Sequence, residues 1–182
     1  MCIRDRRWPA HTAMQVAIHG ALQLHRANHA DGPIEVVVPV FNYCNRPFPN
    51  DSDEARFSFQ YNVAVALIDG TVNDASFSAA KLHSAAVQDY LSRIKLVFDP
   101  DVPRDFGEME VVVRLASGET VESDAWPGHW KTPMTQDEKS AKFNACCAGF
   151  WNPETAERYH GLIANIAEPG NLQLILEGLT KS

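Results

Sequence analysis

Residues 108–124 constrain the fold more than any other stretch, because they spell a β-hairpin. Two β-compatible runs, 108–115 and 120–124, flank Ala116-Ser117-Gly118-Glu119, which supplies the turn. Strands joined so closely must be antiparallel neighbours, whereas a parallel pair needs a long crossover connection. A purely parallel, doubly wound sheet is therefore excluded, and strands interspersed with helices imply an α+β fold. The expected form is a small antiparallel-containing sheet with helices packed against it.

The other elements follow from hydrophobic spacing and punctuation. Met14, Ala17, Ile18, Ala21, Leu22 and His25 recur at helical intervals, predicting a helix over 12–30 that Gly32-Pro33 stops. Residues 34–40 read as a strand rich in β-branched side chains, with Pro39 marking its end or an edge. Pro47 and Pro49 keep 41–53 as loop. Asp53 then opens one helix that carries Phe57, Tyr61, Val65 and Ile68 and stops at Gly70. A shorter helix over 84–94 precedes a strand at 95–98. Thr135 and Glu138 form a capping box that starts another helix. Pro153 lies near the start of a further helix, and 172–179 supplies a last turn or two.

A chain of 182 residues suits one domain, or one compact domain with docking helices. Hydrophobic residues at 45% and charged residues at 21% are the balance of a soluble globular protein. The formal charge of -7 argues against nucleic acid, which needs a net basic face, but leaves room for an anionic small molecule. There is no apolar run of membrane-spanning length and no secretory signal pattern. Cys2, Cys44, Cys146 and Cys147 have neither framework nor C-x-x-C spacing, so they are expected to be reduced, buried thiols of a cytoplasmic protein. Met1-Cys2-Ile3-Arg4-Asp5-Arg6 back-translates to ATG TGT ATA AGA GAC AGR, the string of a transposase mosaic-end adapter. Residues 1–6 are accordingly expected to be a scar of library preparation, with the reading frame cut upstream of Arg7.

No self-sufficient catalytic motif is present: no Gly-rich phosphate loop, no G-x-S-x-G elbow and no H-E-x-x-H. His129 with Cys146 and Cys147 fits no usual zinc spacing, so no metal site is expected. Three local groups could carry chemistry. Arg7-Trp8-Pro9-Ala10-His11-Thr12 sets a cation and an imidazole at a helix start, where free amides favour a carboxylate; His11 could equally be only a cap. Asn45-Arg46-Pro47-Phe48-Pro49 precedes Arg56, Gln60 and Tyr61, and a tyrosine beside an arginine can bind a carboxylate or deliver a proton, or simply pack in a core. Gly128-His129-Trp130-Lys131 reads either as a functional loop or as a structural one rich in aromatics.

Taken together, these groups resemble the MmgE/PrpD family. Arg7-Trp8-Pro9-Ala10-His11, Asn45-Arg46-Pro47-Phe48-Pro49, Glu54-Ala55-Arg56, Ser58-Phe59-Gln60-Tyr61 and Gly128-His129-Trp130-Lys131-Thr132-Pro133 occur in the family's order. The resemblance extends over essentially everything after the first six residues, including Lys139-Ser140-Ala141-Lys142-Phe143. The Asn-Arg-Pro-Phe-Pro and Gly-His-Trp stretches are more similar to the branch that decarboxylates cis-aconitate than to the 2-methylcitrate dehydratases.

The resemblance implies a two-domain lyase in which a smaller α+β lid closes over a tricarboxylate held by a large helical domain. Residues 7–30 would then belong to, or lead from, the helical domain, 31–134 would form the lid, and 135–182 would return to the helical domain. The amino-terminal helical domain would be missing, leaving this piece inactive alone, and the full-length enzyme would be a homodimer. The family's active-site histidine falls on His11 and its active-site tyrosine on Tyr61. A family lysine falls on Arg6, a departure that an adapter-derived AG before a surviving third codon base would produce from AAR. Arg6, Arg7 and Arg56 are the expected substrate carboxylate binders. No cofactor is implied, because a β,γ-unsaturated acid can lose carbon dioxide by protonation chemistry alone. Decarboxylation of cis-aconitate to itaconate is the leading reading, dehydration of 2-methylcitrate an alternative, and a non-catalytic carboxylate-binding module an alternative of another class.

Overall fold

A computed structural model of the chain describes residues 6–26 and 32–179. Strand β1 (Ile34–Pro39) lies inside a four-stranded sheet of order β2-β1-β3-β4, formed with β2 (Ile94–Asp99), β3 (Val111–Leu115) and β4 (Thr120–Ser123). The expected hairpin is present: β3 and β4 pair antiparallel, with Val113 opposite Val121. β1 also runs antiparallel to β3, Val36 facing Val113, but parallel to β2, Ile34 facing Ile94. The parallel pair is possible because the whole helical segment between β1 and β2 serves as crossover. The fold is therefore α+β with a mixed sheet. Neighbours on both sides and cover on both faces explain why β1 is a nearly unbroken run of Val and Ile. Pro39 is the end of this strand and not an edge.

Helix α1 (Thr12–Arg26) packs on β3, β4 and a second long helix; residues 27–30, the remainder of the expected helix, lie outside the described residues. Ala13, Met14, Val16, Ala17, Ile18 and Ala21 of α1 are all fully buried. The single helix expected from Asp53 to Gly70 is instead two, α2 (Ser52–Arg56) and α3 (Phe59–Asp69). Asp51, not Asp53, caps the first by accepting from Glu54 N. Ser58 ends the continuity, because its hydroxyl accepts from Tyr61 N at 3.0 Å and donates to Arg46 O at 2.6 Å. Asn62 Nδ2 donates to the carbonyls of Ala55 and Ser58, a second donor for each beside the backbone N–H groups of Ser58 and Asn62, and so fixes the break. Gly70 closes α3 in the left-handed region, at φ 64°. The stretch 71–83, for which the sequence suggested no element, holds a 3-10 turn (Asp74–Phe77) and α4 (Ala79–Leu82). α5 (Ala85–Arg93) then leads into β2, with Ser84 as its cap.

The chain divides into two compact units, 1–133 and 134–182. α1 lies inside the first unit and contributes to its core. The second unit holds α6 (Gln136–Cys147), α7 (Pro153–Ala164) and α8 (Asn171–Leu179), with α7 packed on the other two. The capping box at Thr135 forms, Thr135 N donating to Glu138 Oε2 at 2.8 Å and Glu138 N to Thr135 Oγ1 at 3.2 Å. Cys44 is a buried free thiol, as expected. Cys146 is exposed and Cys147 half-buried, contrary to expectation, because α6 buries none of its residues. Cys2 and the rest of residues 1–5 lie outside the described residues. No described helix is long and apolar enough to cross a membrane.

Candidate active site

His11 stands at the start of α1, its carbonyl accepting from Met14 N at 2.9 Å. Its Nδ1 accepts from Ala13 N at 3.2 Å, so the imidazole caps the helix as well as facing the site. An acceptor at Nδ1 places the proton of the neutral ring on Nε2, which has no protein partner among the described residues. Burial lowers the pKa of His11 below its ordinary 6.5, and the positive charge of Arg6 lowers it further. The group therefore presents a neutral N–H donor at neutral pH. Phe57 lies against the ring at 4.8 Å between centroids, with Tyr43 edge-on at 5.7 Å and Phe106 at 6.1 Å. This wall of aromatics keeps water from one side of the imidazole while Tyr43 and Phe57 remain partly exposed.

The segment before His11 is held from two directions. Gln15, fully buried on α1, accepts from Trp8 N at 3.1 Å and donates to Trp8 O at 3.0 Å and Ala10 O at 3.2 Å. Arg56, the last residue of α2, donates through Nη1 to Pro9 O, and its own carbonyl accepts from His11 N at 3.0 Å. The Arg56 guanidinium also pairs with Asp74 at 3.1 Å and lies over the Phe77 ring at 4.4 Å. Of the cations expected to bind carboxylates, Arg6 is near enough to act on His11 electrostatically. Arg7 adjoins it in sequence, is half-buried, and makes no hydrogen bond or ion pair among the described residues.

Tyr61 occupies a different place. It is 0% exposed, and its hydroxyl donates to Ser76 O at 2.5 Å. Burial and the negative charge of Asp69 push its pKa up to about 12. Its ring packs against Phe77 at 5.8 Å, the ring that Arg56 covers, so Tyr61 lies behind Phe77 and Arg56 as seen from the histidine. In this conformation the phenol has no open path to a ligand.

The loop after β4 is a closed knot. Gly128 N donates to Thr132 O, Thr132 N to His129 O and Thr132 Oγ1 to Trp126 O. His129 is 2% exposed and lies 4.6 Å from the Trp126 ring, while Lys131 pairs with Asp124 at 2.6 Å. The aromatic residues there support the loop, and only Trp130 stands out into solvent, 72% exposed. Among the described residues no group of three His, Cys, Asp or Glu is placed to hold a metal.

The sequence singled out His11 and Arg56, the latter as a carboxylate binder, but not the other residues that hold the histidine. Gln15 carried a signal, a polar residue within the apolar stripe of α1, because such a residue must find buried partners. Asp74 and Phe106 carried none; they come from segments without strong periodicity and reach the site only through the tertiary fold.

The MmgE/PrpD C-terminal domain matches residues 8–168. The cis-aconitate decarboxylase of Mus musculus is 33% identical over 157 residues, which cover 82% of this chain and 32% of that protein. The cis-aconitate decarboxylase of Homo sapiens is 30% identical over 176 residues, covering 90% of this chain and 37% of that protein. The chain thus spans about a third of the length of these curated relatives. A match that begins at Trp8, ahead of the histidine, and extends past the end of α7 takes in every element that holds the imidazole, and the chain belongs to the MmgE/PrpD family.

Proposed function

We propose that this chain is the substrate-closing, carboxyl-terminal part of an MmgE/PrpD lyase that decarboxylates cis-aconitate. One observation carries the reading: His11 presents a neutral Nε2–H beside Arg6, at the amino end of a 15-residue helix. A tricarboxylate needs such a place, because helix amides, a guanidinium and an N–H donor all favour negative charge. Residues 31–134 serve as the lid, and 135–182 return to a helical domain that supplies the rest of the site. The similarity of the two curated relatives to this chain favours decarboxylation over dehydration.

In the reaction the carbon–carbon bond to one carboxylate breaks and carbon dioxide leaves. The electron pair shifts through the allylic framework, so that the double bond moves to the carbon that lost the carboxylate and the far allylic carbon takes a proton, giving itaconate. His11 contributes by donating Nε2–H to a carboxylate oxygen of the substrate. With Nδ1 held by Ala13 N, the neutral ring has no free lone pair with which to act as a base. A neutral histidine kept so by its surroundings, donating where charge collects, is an established catalytic arrangement. The cation at position 6, Arg6 in this chain and the expected lysine in the restored enzyme, and Arg7 offset the charge of the other carboxylates. Tyr61, with its hydroxyl on Ser76 O, makes no first contact with substrate. The full-length enzyme is a homodimer in this reading, and the tricarboxylate is its one small-molecule partner.

The test begins with source DNA read across the junction before Arg7, where an AAR lysine codon at position 6 and an open upstream frame are expected. The restored protein should convert cis-aconitate to itaconate, and the 182-residue chain should not. Replacing His11 by Ala should lower kcat by about 10²–10³, the usual cost of one lost transition-state donor. His11→Gln, which keeps an N–H, should lose less. Turnover of 2-methylcitrate without turnover of cis-aconitate would transfer the chain to the dehydratase reading.

A further inference from the structure

We infer that Arg56 is a positioning residue, which with Gln15 clamps the Trp8–His11 segment and aims the His11 imidazole, rather than a ligand for substrate carboxylates. The inference rests on the reading of His11 given above. Every backbone polar group from Trp8 N to His11 N has a partner. Gln15 takes Trp8 N, Trp8 O and Ala10 O; Arg56 takes Pro9 O with its side chain and His11 N with its carbonyl. Ala10 N closes onto Trp8 O at 2.9 Å. Connecting segments usually leave some of these groups to water, so full pairing holds this one in a single conformation. A site accurate to a fraction of an ångström needs such support beneath the reacting group.

The guanidinium of Arg56 is occupied in a way that suits support and not capture. Nη1 is on Pro9 O, Nη2 is on Asp74, and its face is against Phe77. A substrate carboxylate would have to displace Asp74, exchanging one charge-assisted pair for another. Asp74 in turn sits in the 3-10 turn whose Ser76 carbonyl receives the Tyr61 hydroxyl. Tyr61, Ser76, Asp74, Arg56 and Pro9 thus form a continuous chain of contacts that ends one peptide group away from His11. The planar fork matters: a lysine keeps the charge but reaches only one of the two acceptors in the same geometry.

The deciding variant is Arg56→Lys in the 182-residue chain, measured by amide hydrogen exchange and by NMR titration of the His11 ring. Loss of the fork should speed exchange of the Ala10 and His11 amides by about tenfold or more, as expected for a lost charge-assisted bond. The His11 titration should move up toward 6.5 as the segment loosens and water reaches the ring. Asp74→Asn, which leaves Arg56 intact but frees one end, should shift both readouts in the same direction by less. Gln15→Met should loosen the Trp8 and Ala10 side of the clamp independently. Unchanged exchange and titration in Arg56→Lys, together with weaker cis-aconitate binding, would overturn the inference and make Arg56 a ligand. None of these readouts depends on turnover. An active His11→Ala enzyme would therefore remove the catalytic reading while leaving the clamp standing.

Discussion

At the level of single residues, the two groups matched to active-site positions separate into an accessible one and an enclosed one. His11 is half-buried with Nε2 unengaged by protein among the described residues, whereas Tyr61 lies wholly inside the first unit with its hydrogen on Ser76 O. Replacing Tyr61 by Phe leaves the Ser76 carbonyl without its donor in the core. The expected loss of unfolding free energy is about 1–2 kcal/mol, read by denaturant titration. In a restored full-length enzyme the same change should reduce kcat only a few-fold. A loss of about 10² or more, the size of a missing general acid, would show that the Asp74–Phe77 turn opens and releases the phenol. The histidine was legible in the sequence because a helix start is a local signal. The burial of the tyrosine was not, since an amphipathic pattern marks a buried face without telling a sealed hydroxyl from one lining a site.

The break between α2 and α3 does more for the site than any other secondary-structure feature. It turns the chain so that Arg56 ends a helix beside Pro9 and His11, and it depends on Ser58 and Asn62. An uninterrupted helix over 53–70 would leave the Arg56 carbonyl inside the helical ladder, unable to accept from His11 N. Ser58→Ala removes a helix cap and also a buried donor to Arg46 O. The expected cost is about 2 kcal/mol, with faster hydrogen exchange at Tyr61 N than elsewhere in α3. Propensity reading missed this break because Phe57, Tyr61, Val65 and Ile68 keep helical phase across it. The bond from Ser58 to the loop at Arg46 adds a contact from outside the segment to the local cap that Ser58 makes. The hairpin, the capping box at Thr135, the helix start near Pro153 and the stop at Gly70 were legible, because each rests on residues within a few positions of one another.

Across the whole molecule the two units differ sharply in how much they bury. The first has a core running from Trp8 through Trp126, while the helices of the second bury only Ala156 and Tyr159. Tyr159 stacks on Trp151 at 4.5 Å, but Phe150 is 87% exposed, and Leu172, Leu174, Leu176 and Leu179 of α8 are each more than 40% exposed. Apolar surface of this kind drives association, and so thin a core opens easily. The chain should therefore sediment as concentration-dependent assemblies, and the amides of 134–179 should exchange well before those of α1 and α3. A monodisperse monomer with uniform protection would contradict both expectations. Hydrophobic period, turn chemistry and residue order were sufficient to specify an α+β chain with its hairpin and a histidine at a helix start, because these are written in neighbouring residues. The parallel partner of β1, the division of one helix into two, the sealing of Tyr61 and the clamp on His11 came from contacts between residues far apart in the chain. Such contacts are selected by the free energy of packing a common core, which no local window contains.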